Sequence, residues 1–305
     1  MPDLSIIIVS WNVRDYLRKC LTSVFKELQR AQLQGEVWVV DNGSTDGTLS
    51  LVQTLFPQVH LIANQENVGF GAANNQGMRA AAALDPRYHF LLNADTVLLP
   101  GAISALTAFL DARPDVGMVG ARLVYGDGRF QHSAFAFPGL LQLAFDLFDV
   151  PERFYDTRWN GRYPRRYYNP DRRPFPVDHP LGATMMVRRD VAEVTGGFDE
   201  SFHMYCEEID WAWRIRKAGW SIYTVPAAET IHYGGASTRQ VPARSIRDLW
   251  HSRAQLYEKH HAPWRRKAAR VLASTGLQRK ALRAASADLR EAYAASADRW
   301  QQLSA

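Results

Sequence analysis

Residues 36–48 read EVWVVDNGSTDGT. The apolar, valine-rich run from Glu36 to Val40 is the signature of a buried strand, and it stops at a carboxylate followed by turn-forming residues, Asp41 to Thr48. The same arrangement occurs on either side of it. Leu4 to Val9 (LSIIIV) is a continuous apolar run, the pattern of a strand covered on both faces, and it ends in Ser10-Trp11-Asn12. Val59 to Ile62 leads to Asn64, Asn67, Gly69 and Gly71, and His89 to Leu92 leads to Asn93-Ala94-Asp95. Helical spacing fills the intervals. Leu17, Leu21, Val24 and Leu28 form one stripe between Val13 and Leu33, Asp46 to Phe56 reads as a helix stopped by Pro57, and Gly71 to Ala83 is Ala-rich. Another helix follows Pro100, a residue suited to a first helical turn. Repeated β-α-β units predict a mostly parallel, Rossmann-like α/β sheet flanked by helices.

Beyond Val116 to Tyr125, a further strand, the pattern loosens. Residues from about 150 to 176 are rich in Arg, Tyr and Pro with little periodicity, which predicts a long irregular insertion, a lid or mobile segment. Val177 to Val187 and Ser221 to Val225 return to strand character, with a helix from about Glu207 to Ala218 between them. From Ser245 the signal is helical. Leu249, Trp250, Ala254, Leu256 and Tyr257 share one face, as do Trp264, Ala268, Val271 and Leu272. The predicted organisation is a main domain over 1–240, in two parts, 1–125 and 126–240, followed by a basic amphipathic helical tail, 241–305.

Composition narrows the class. Two cysteines, Cys20 and Cys206, cannot build a disulfide framework, and no apolar run of about 20 residues is present. A cytoplasmic location is expected, with peripheral contact to the inner face of the cytoplasmic membrane. The net charge of +5 is unevenly spread: from Arg239 onward there are 14 Lys/Arg against 5 Asp/Glu, a balance of +9 that leaves −4 for the rest. A basic tail on an acidic body suits an anionic surface, lipid or nucleic acid. A solvated helical face is the plainer explanation.

In open α/β sheets ligands sit beyond the carboxyl ends of the strands, and here four successive strand ends gather polar groups and glycines. Each segment alone could be a turn or a helix cap; four together point to a site. Near the other end, Glu207-Glu208-Ile209-Asp210 puts three carboxylates in four residues. They repel one another unless a metal, a cation or protonation intervenes, and such crowding raises a carboxyl pKa, as a general base requires. Arg214 lies four positions after Asp210 and can share its helix face. An acidic first turn that complements the helix dipole would account for part of the cluster without any catalytic role. Arg188 and Arg189 read as plain surface residues.

These segments together resemble glycosyltransferase family 2, enzymes of the GT-A fold. The resemblance runs from about Leu4 to Thr238 through IIIVSWN, DNGSTDGT, NQENVGFGAANNQG, NAD, LGATMMVRR, GGFDESFHMYCEEIDWAWR and IHYGGAST, in the family's order. Within the family the chain looks most like rhamnosyltransferase-type members that build bacterial cell-surface polysaccharides, and DGRFQHS points the same way. The resemblance implies that Asp41 meets the nucleobase, with Ser10, Asn12, Ser44, Asn67, Gly71, Asn74, Asn93 and Ala94 around the nucleotide. It implies that Asn93-Ala94-Asp95 stands for the Asp-X-Asp metal motif, leaving Asp95 as the charged ligand to Mg²⁺ or Mn²⁺ and His232 as a further one. It puts the base at Glu208, with Glu207 the next candidate and Asp210 and Arg214 in the same catalytic group, and makes 1–240 a catalytic domain with a nucleotide-binding half (1–125) and an acceptor-binding half (126–240). The implied donor is a dTDP- or UDP-sugar, dTDP-L-rhamnose first, and the implied acceptor a saccharide, free or carried on a polyprenyl diphosphate. Such an acceptor gives the tail a purpose, so an anionic membrane is the expected partner rather than nucleic acid, with a second copy of the chain as another candidate. A non-catalytic nucleotide-sugar-binding subunit is the alternative to an enzyme. A Rossmann dehydrogenase is disfavoured because no Gly-X-Gly-X-X-Gly follows the first strand.

Overall fold

The computed structural model describes residues 2–235 and 238–302. The end of IHYGGAST at Ala236 and Ser237, and the last three residues of the tail, lie outside the described residues. In chain order the elements are β1 (Leu4–Ser10), α1 (Arg14–Ala31), β2 (Gly35–Asp41), α2 (Thr48–Leu55), β3 (His60–Ala63), α3 (Phe70–Ala81), β4 (Tyr88–Asn93), β5 (Thr96–Leu98), α4 (Ala102–Ala112) and β6 (Val116–Val124). Then come β7 (Phe130–Gln131), β8 (Ala134–Phe135), α5 (Leu140–Leu147), β9 (Phe175–Pro176), β10 (His179–Pro180), β11 (Thr184–Arg188), α6 (Arg189–Thr195), α7 (Glu207–Lys217), β12 (Ser221–His232), α8 (Pro242–His260), α9 (Pro263–Leu282) and α10 (Ala287–Gln301).

The main sheet runs β3-β2-β1-β4-β11-β6-β12-β5. β1 pairs in parallel with both β2 and β4, so the chain winds outward on one side of β1 and then returns to the other. The sheet is not parallel throughout: β11 runs antiparallel between β4 and β6, and β5 antiparallel to β12. Ile6, Ile7 and Ile8 of β1 are fully buried, as a strand covered on both faces must be. On one face Leu17, Leu21, Val24 and Leu28 of α1 pack with α4 residues such as Ile103 and Leu106; each such side chain contributes roughly 1.5–3 kcal/mol by leaving water. On the other face α3, α6 and α7 close a second core that includes Trp211.

Several boundaries differ from the sequence reading for identifiable reasons. α4 starts after Gly101, whose φ of +89° forms its cap and whose N–H donates to Glu27 at 2.7 Å, so Pro100 lies outside the helix. The predicted strand 177–187 is broken at Leu181–Ala183 into β10 and β11. β12 continues to His232 through a register shift between Val225 and Glu229, next to Pro226, which cannot donate to a ladder. The insertion is folded down rather than loose: its Tyr163, Tyr168 and Phe175 are buried, and the Tyr168 hydroxyl donates to the Ala134 carbonyl. Arg188 is not a plain surface residue, since its guanidinium donates to the Leu110, Arg113 and Val116 carbonyls and so ties the end of α4 to β6.

The tail packs on the body. α8, α9 and α10 enclose Trp250, Ala254, Tyr257, Ala273, Leu277 and Trp300 together with Leu143 and Leu147 of α5. Of the first predicted stripe, Trp250, Ala254, Leu256 and Tyr257 are buried and Leu249 is partly covered. Of the second, only Leu272 is partly covered; Trp264 and Val271 point outward, and the inner face of α9 is Ala269, Ala273 and Leu277.

Candidate active site

The ends of β1 and β4 lie side by side, Val9 opposite Asn93, at the point where the winding of the sheet reverses. A cleft opens there, about 120 Å³, walled by Val9, Trp11, Asn67, Asn93, Ala94 and Asp95 and closed by Phe70 and Met204. A larger groove, about 590 Å³, lies between α1 and β5 and contains none of the predicted site residues.

The loop after β2 is held to the loop after β1. Asn12, with φ +52°, accepts the Thr45 N–H on its Oδ1 at 2.8 Å, and its own N–H donates to Ser44 Oγ at 2.9 Å. Asp41 Oδ2 accepts the Ser44 N–H at 2.8 Å, while Asp41 Oδ1, fully buried, has no partner among the described residues. Ser10 Oγ and Asn74 Oδ1 are likewise buried and unsatisfied. Buried polar atoms are nearly always paired, so orphans at the adjoining ends of β1 and β2 and on α3 mark a place built for something other than packing. Asp46 is used locally: its carboxylate accepts from Thr48 and from the Arg14 N–H that opens α1. Asn67 Oδ1 accepts the Gly69 N–H at 3.0 Å. Gly69 has φ +95°, and a Cβ there would collide with the His203 carbonyl; Gly71 lies against Phe198 and Glu207, where a Cβ would come within 3.1 and 3.6 Å. The loop that enters α3 is thus pressed onto the loop that enters α7.

At the end of β4, Asp95 Oδ1 is 3.4 Å from His232 Nε2, and Asn93 Nδ2 is 3.5 Å from the same nitrogen. The antiparallel pairing of β5 with β12, His232 opposite Thr96, creates this meeting. Gln131 Oε1 lies 3.2 Å from His232 Nδ1 and orients the ring. A carboxylate oxygen and an imidazole nitrogen converging on one point fit a divalent cation that takes its remaining ligands from diphosphate oxygens and water. Among the described residues no three His, Cys, Asp or Glu side chains converge as a metal cluster.

Glu207, Glu208 and Asp210 are not a single cluster in space. α7 is entered through Tyr205 and Cys206, both left-handed at φ +69° and +65°. Two non-glycine residues in that region cost about 1–3 kcal/mol each and are retained where the surroundings compel them. Glu207 is buried beside Gly71, and its Oε2 has no partner among the described residues. Burial, then the neighbouring Glu208 charge, pushes its carboxyl well above the usual range. Glu208 lies against Gly182, whose Cβ position is 3.6 Å from Glu208 Cβ and Cγ, and desolvation raises its pKa to about 7. The next residue, Ala183, accepts the Asn93 N–H on its carbonyl at 3.0 Å, so the raised carboxyl and the Asn93-Ala94-Asp95 corner share a wall.

Asp210 points the other way, roughly 200° round the helix from Glu208. Its carboxylate accepts from His260 Nε2 at 2.7 Å, Lys259 Nζ at 2.8 Å and Arg214 Nε at 2.8 Å. Burial alone would raise it, but those partners hold it well below the usual carboxylate range. Arg214 also donates to the Thr195 and Gly197 carbonyls. Asp210 and Arg214, placed in the catalytic group by the sequence, form a clamp between α7, the α6 end and α8. Trp211 and Trp213 are packing residues as well, Trp211 fully buried and Trp213 stacked between Phe137 and His260. The sequence reading missed Gln131, Met204, Lys259 and His260; Gln131 lies in DGRFQHS and Met204 in GGFDESFHMYCEEIDWAWR, whereas Lys259 and His260 lie in no quoted segment.

An open α/β sheet with a polar crevice at its switch point and a carboxylate–imidazole pair beside it defines the class, a nucleotide-binding α/β enzyme. Residues 5–196 match the family described as Glycosyl transferase family 2. The chain belongs to that family, and its fold is GT-A. It is 30% identical over 270 residues to the N-acetylglucosaminyl-diphospho-decaprenol L-rhamnosyltransferase of Mycobacterium tuberculosis, covering 86% of each chain. Among solved structures it is similar to the mannosyltransferase PcManGT from Pyrobaculum calidifontis in complex with GDP-Man and Mn²⁺ (TM-score 0.57, 17% identity, 97% of this chain and 86% of that one). It is also similar to S. aureus TarS 1-349 (TM-score 0.54, 15% identity, 98% and 91%). These structures share the fold. The protein is an enzyme, a glycosyltransferase that uses a nucleotide-sugar.

Proposed function

We propose that the chain transfers a sugar, L-rhamnose first, from a dTDP- or UDP-sugar to a saccharide carried on a polyprenyl diphosphate, with inversion, in cell-surface polysaccharide synthesis. One observation carries the chemistry: the raised carboxyl of Glu208 and the Asp95–His232 pair stand on one wall, joined through Gly182 and Ala183. The mycobacterial relative supports the choice of sugar and acceptor. Glu208 takes the proton of the acceptor hydroxyl, whose oxygen then attacks the anomeric carbon opposite the nucleotide. Asp41 Oδ1 is the acceptor for the imide N–H of uracil or thymine, with Ser10, Asn12, Ser44, Asn67 and Asn74 shaping the pocket around it. Asp95 and His232 would hold a Mg²⁺ or Mn²⁺ ion, which when bound neutralises charge on the nucleoside diphosphate. Burial keeps Glu208 protonatable near neutrality.

No helix among the described residues is long and apolar enough to cross a membrane. Contact with a lipid-linked acceptor then falls to the surface of α9, which carries six Lys/Arg and no acid. The test of the reading is a panel of nucleotide-sugars scored for release of nucleoside diphosphate, with and without chelator. Release from a dTDP- or UDP-sugar that stops with chelator and returns with Mg²⁺ or Mn²⁺ is the expected result. Undiminished release in excess chelator would remove Asp95 and His232 from the metal role.

A further inference from the structure

A second cavity adjoins the proposed site and has no part in the chemistry described so far. It measures about 550 Å³ and is lined by Arg129, Arg162, Arg165, Phe130, Gln131 and Leu181, among others. Two of these residues anchor it to the reacting wall: Gln131 holds His232, and Leu181 precedes Gly182, against which Glu208 lies. One side of the cavity, Arg162 and Arg165, comes from the insertion, which carries seven arginines against three acids within residues 151–176.

The arginines are held in place. Arg165 Nε donates to Asp156 Oδ2 at 2.7 Å, and its guanidinium lies 5.3 Å from the Phe130 ring centre. Arg162 Nη1 is 3.8 Å from Asp156 Oδ1. Asp156 also binds His132 Nε2, and His132 Nδ1 is buried without a partner among the described residues. Across the cavity Arg129 pairs with Asp127 and lies over Tyr125. A guanidinium has five N–H donors, so a single carboxylate leaves several free for a second anion. Planar forks with spare donors match phosphate oxygens, and the aromatic floor suits the apolar chain that follows them. A neutral saccharide would have no use for three cations.

We propose that this cavity is an anion site for the diphosphate of the acceptor, gripped by Arg162 and Arg165 on one side and Arg129 on the other, which sets the acceptor hydroxyl at Glu208. The inference rests on the reading of the chain as a transferase to a diphosphate-linked acceptor, and the experiment separates the two. The full chain, loaded with nucleoside diphosphate and Mg²⁺ to fill the donor site, is titrated calorimetrically with geranyl diphosphate. Replacing both Arg162→Gln and Arg165→Gln should weaken binding about tenfold or more, as loss of charge-assisted bonds does. Arg129→Gln, at a side chain 78% exposed and so without bearing on the fold, should weaken it about threefold. Slow donor hydrolysis and binding of neutral octyl N-acetylglucosaminide should be unchanged in all variants. Equal affinity of variants and wild type for geranyl diphosphate overturns the proposal. So does a loss confined to the neutral glycoside, or to phosphatidylglycerol vesicles, which would make the cavity a saccharide or membrane-headgroup site. Arginine-dependent binding in a protein that releases no nucleotide from any sugar donor would support the cavity while sinking the transfer reading.

Discussion

Glu208 is the residue proposed as the base, and its surroundings set its behaviour. A carboxyl at the usual value of 4.5 would be a weak base at neutral pH; desolvation beside Gly182 raises Glu208 to about 7. A base poised there is half-ionised at the operating pH and strong enough to take a hydroxyl proton. Glu208→Gln keeps the shape and removes the basicity, so turnover should fall by about 10²- to 10⁴-fold with donor binding nearly unchanged. Glu207→Gln should cost less, since Glu207 is buried against Gly71 on the side of α3. The turnover of the wild type should rise with pH through a limb near 7 that the Glu208→Gln enzyme lacks. The sign of the stability effect is opposite. An acid whose folded pKa is raised stabilises the fold fully below its unfolded value, and that contribution is lost as pH rises through the folded value. Thermal melts should therefore show Glu208→Gln level with wild type near pH 4.5 and more stable at pH 8. A variant less stable than wild type at pH 8 would mean that the carboxylate is stabilised there, and the assignment as a raised base would fail.

At the scale of elements, α7 works because α8 holds it. Asp210 ties Arg214 on its own helix to Lys259 and His260 on α8, with Trp213 stacked on His260 at 4.6 Å. Breaking a buried ionic cluster by removing one partner costs about 3–5 kcal/mol. Asp210→Asn should therefore lower the unfolding free energy by about 3–5 kcal/mol at neutral pH, read as a lower denaturant midpoint. Because the Asp210 pKa is held down, the difference should vanish as pH falls below the usual carboxylate range. Unchanged stability with lost turnover would return Asp210 to the catalytic group. The sequence held the acids but not their partners: crowding in Glu207-Glu208-Ile209-Asp210 is visible in the chain, whereas Lys259 and His260 are brought up by the packing of the tail. The same limit applies elsewhere. LSIIIV was legible because both faces of that strand are covered, and EVWVV because its valines, Val37, Val39 and Val40, are buried. β12 read only as far as Val225, because Pro226 and the shift that follows interrupt the pattern short of His232. The Asp95–His232 meeting depends on the antiparallel return of that strand and has no local trace. The insertion has no period because its order comes from 3₁₀ turns and a few buried tyrosines.

For the whole molecule the question is which side would meet a membrane if the acceptor is lipid-linked, as proposed. α5 packs against both the insertion and α9: Phe145 meets Tyr155 edge-on, Leu147 fills the space beside Gly276, and Asp149 accepts from Arg279 and Arg283. The arginine-lined cavity and the tail thus belong to one continuous wall. On α9, Trp264, Ala268, Val271 and Leu282 recur at helical spacing on the outer face, with Trp264 61%, Val271 65% and Leu282 84% exposed. Arg265, Lys267, Arg270 and Lys280 lie on the same helix, which has no acid to offset them. An exposed apolar stripe amid cations is the composition of a helix that lies in a membrane interface. Each cation near an anionic leaflet contributes about 1 kcal/mol, and that attraction falls off over a Debye length of about 8 Å at physiological salt. The full chain should therefore sediment with vesicles containing phosphatidylglycerol, and less of it as salt rises. Trp264→Ser with Val271→Ser should remove most binding without unfolding the protein, since both side chains face solvent. Lys267→Glu with Arg270→Glu should weaken binding at low salt more than at high salt, which separates the electrostatic part from the apolar part. Equal sedimentation with phosphatidylcholine vesicles would show that charge plays no part, and no sedimentation with either lipid would show that α9 faces something other than a membrane.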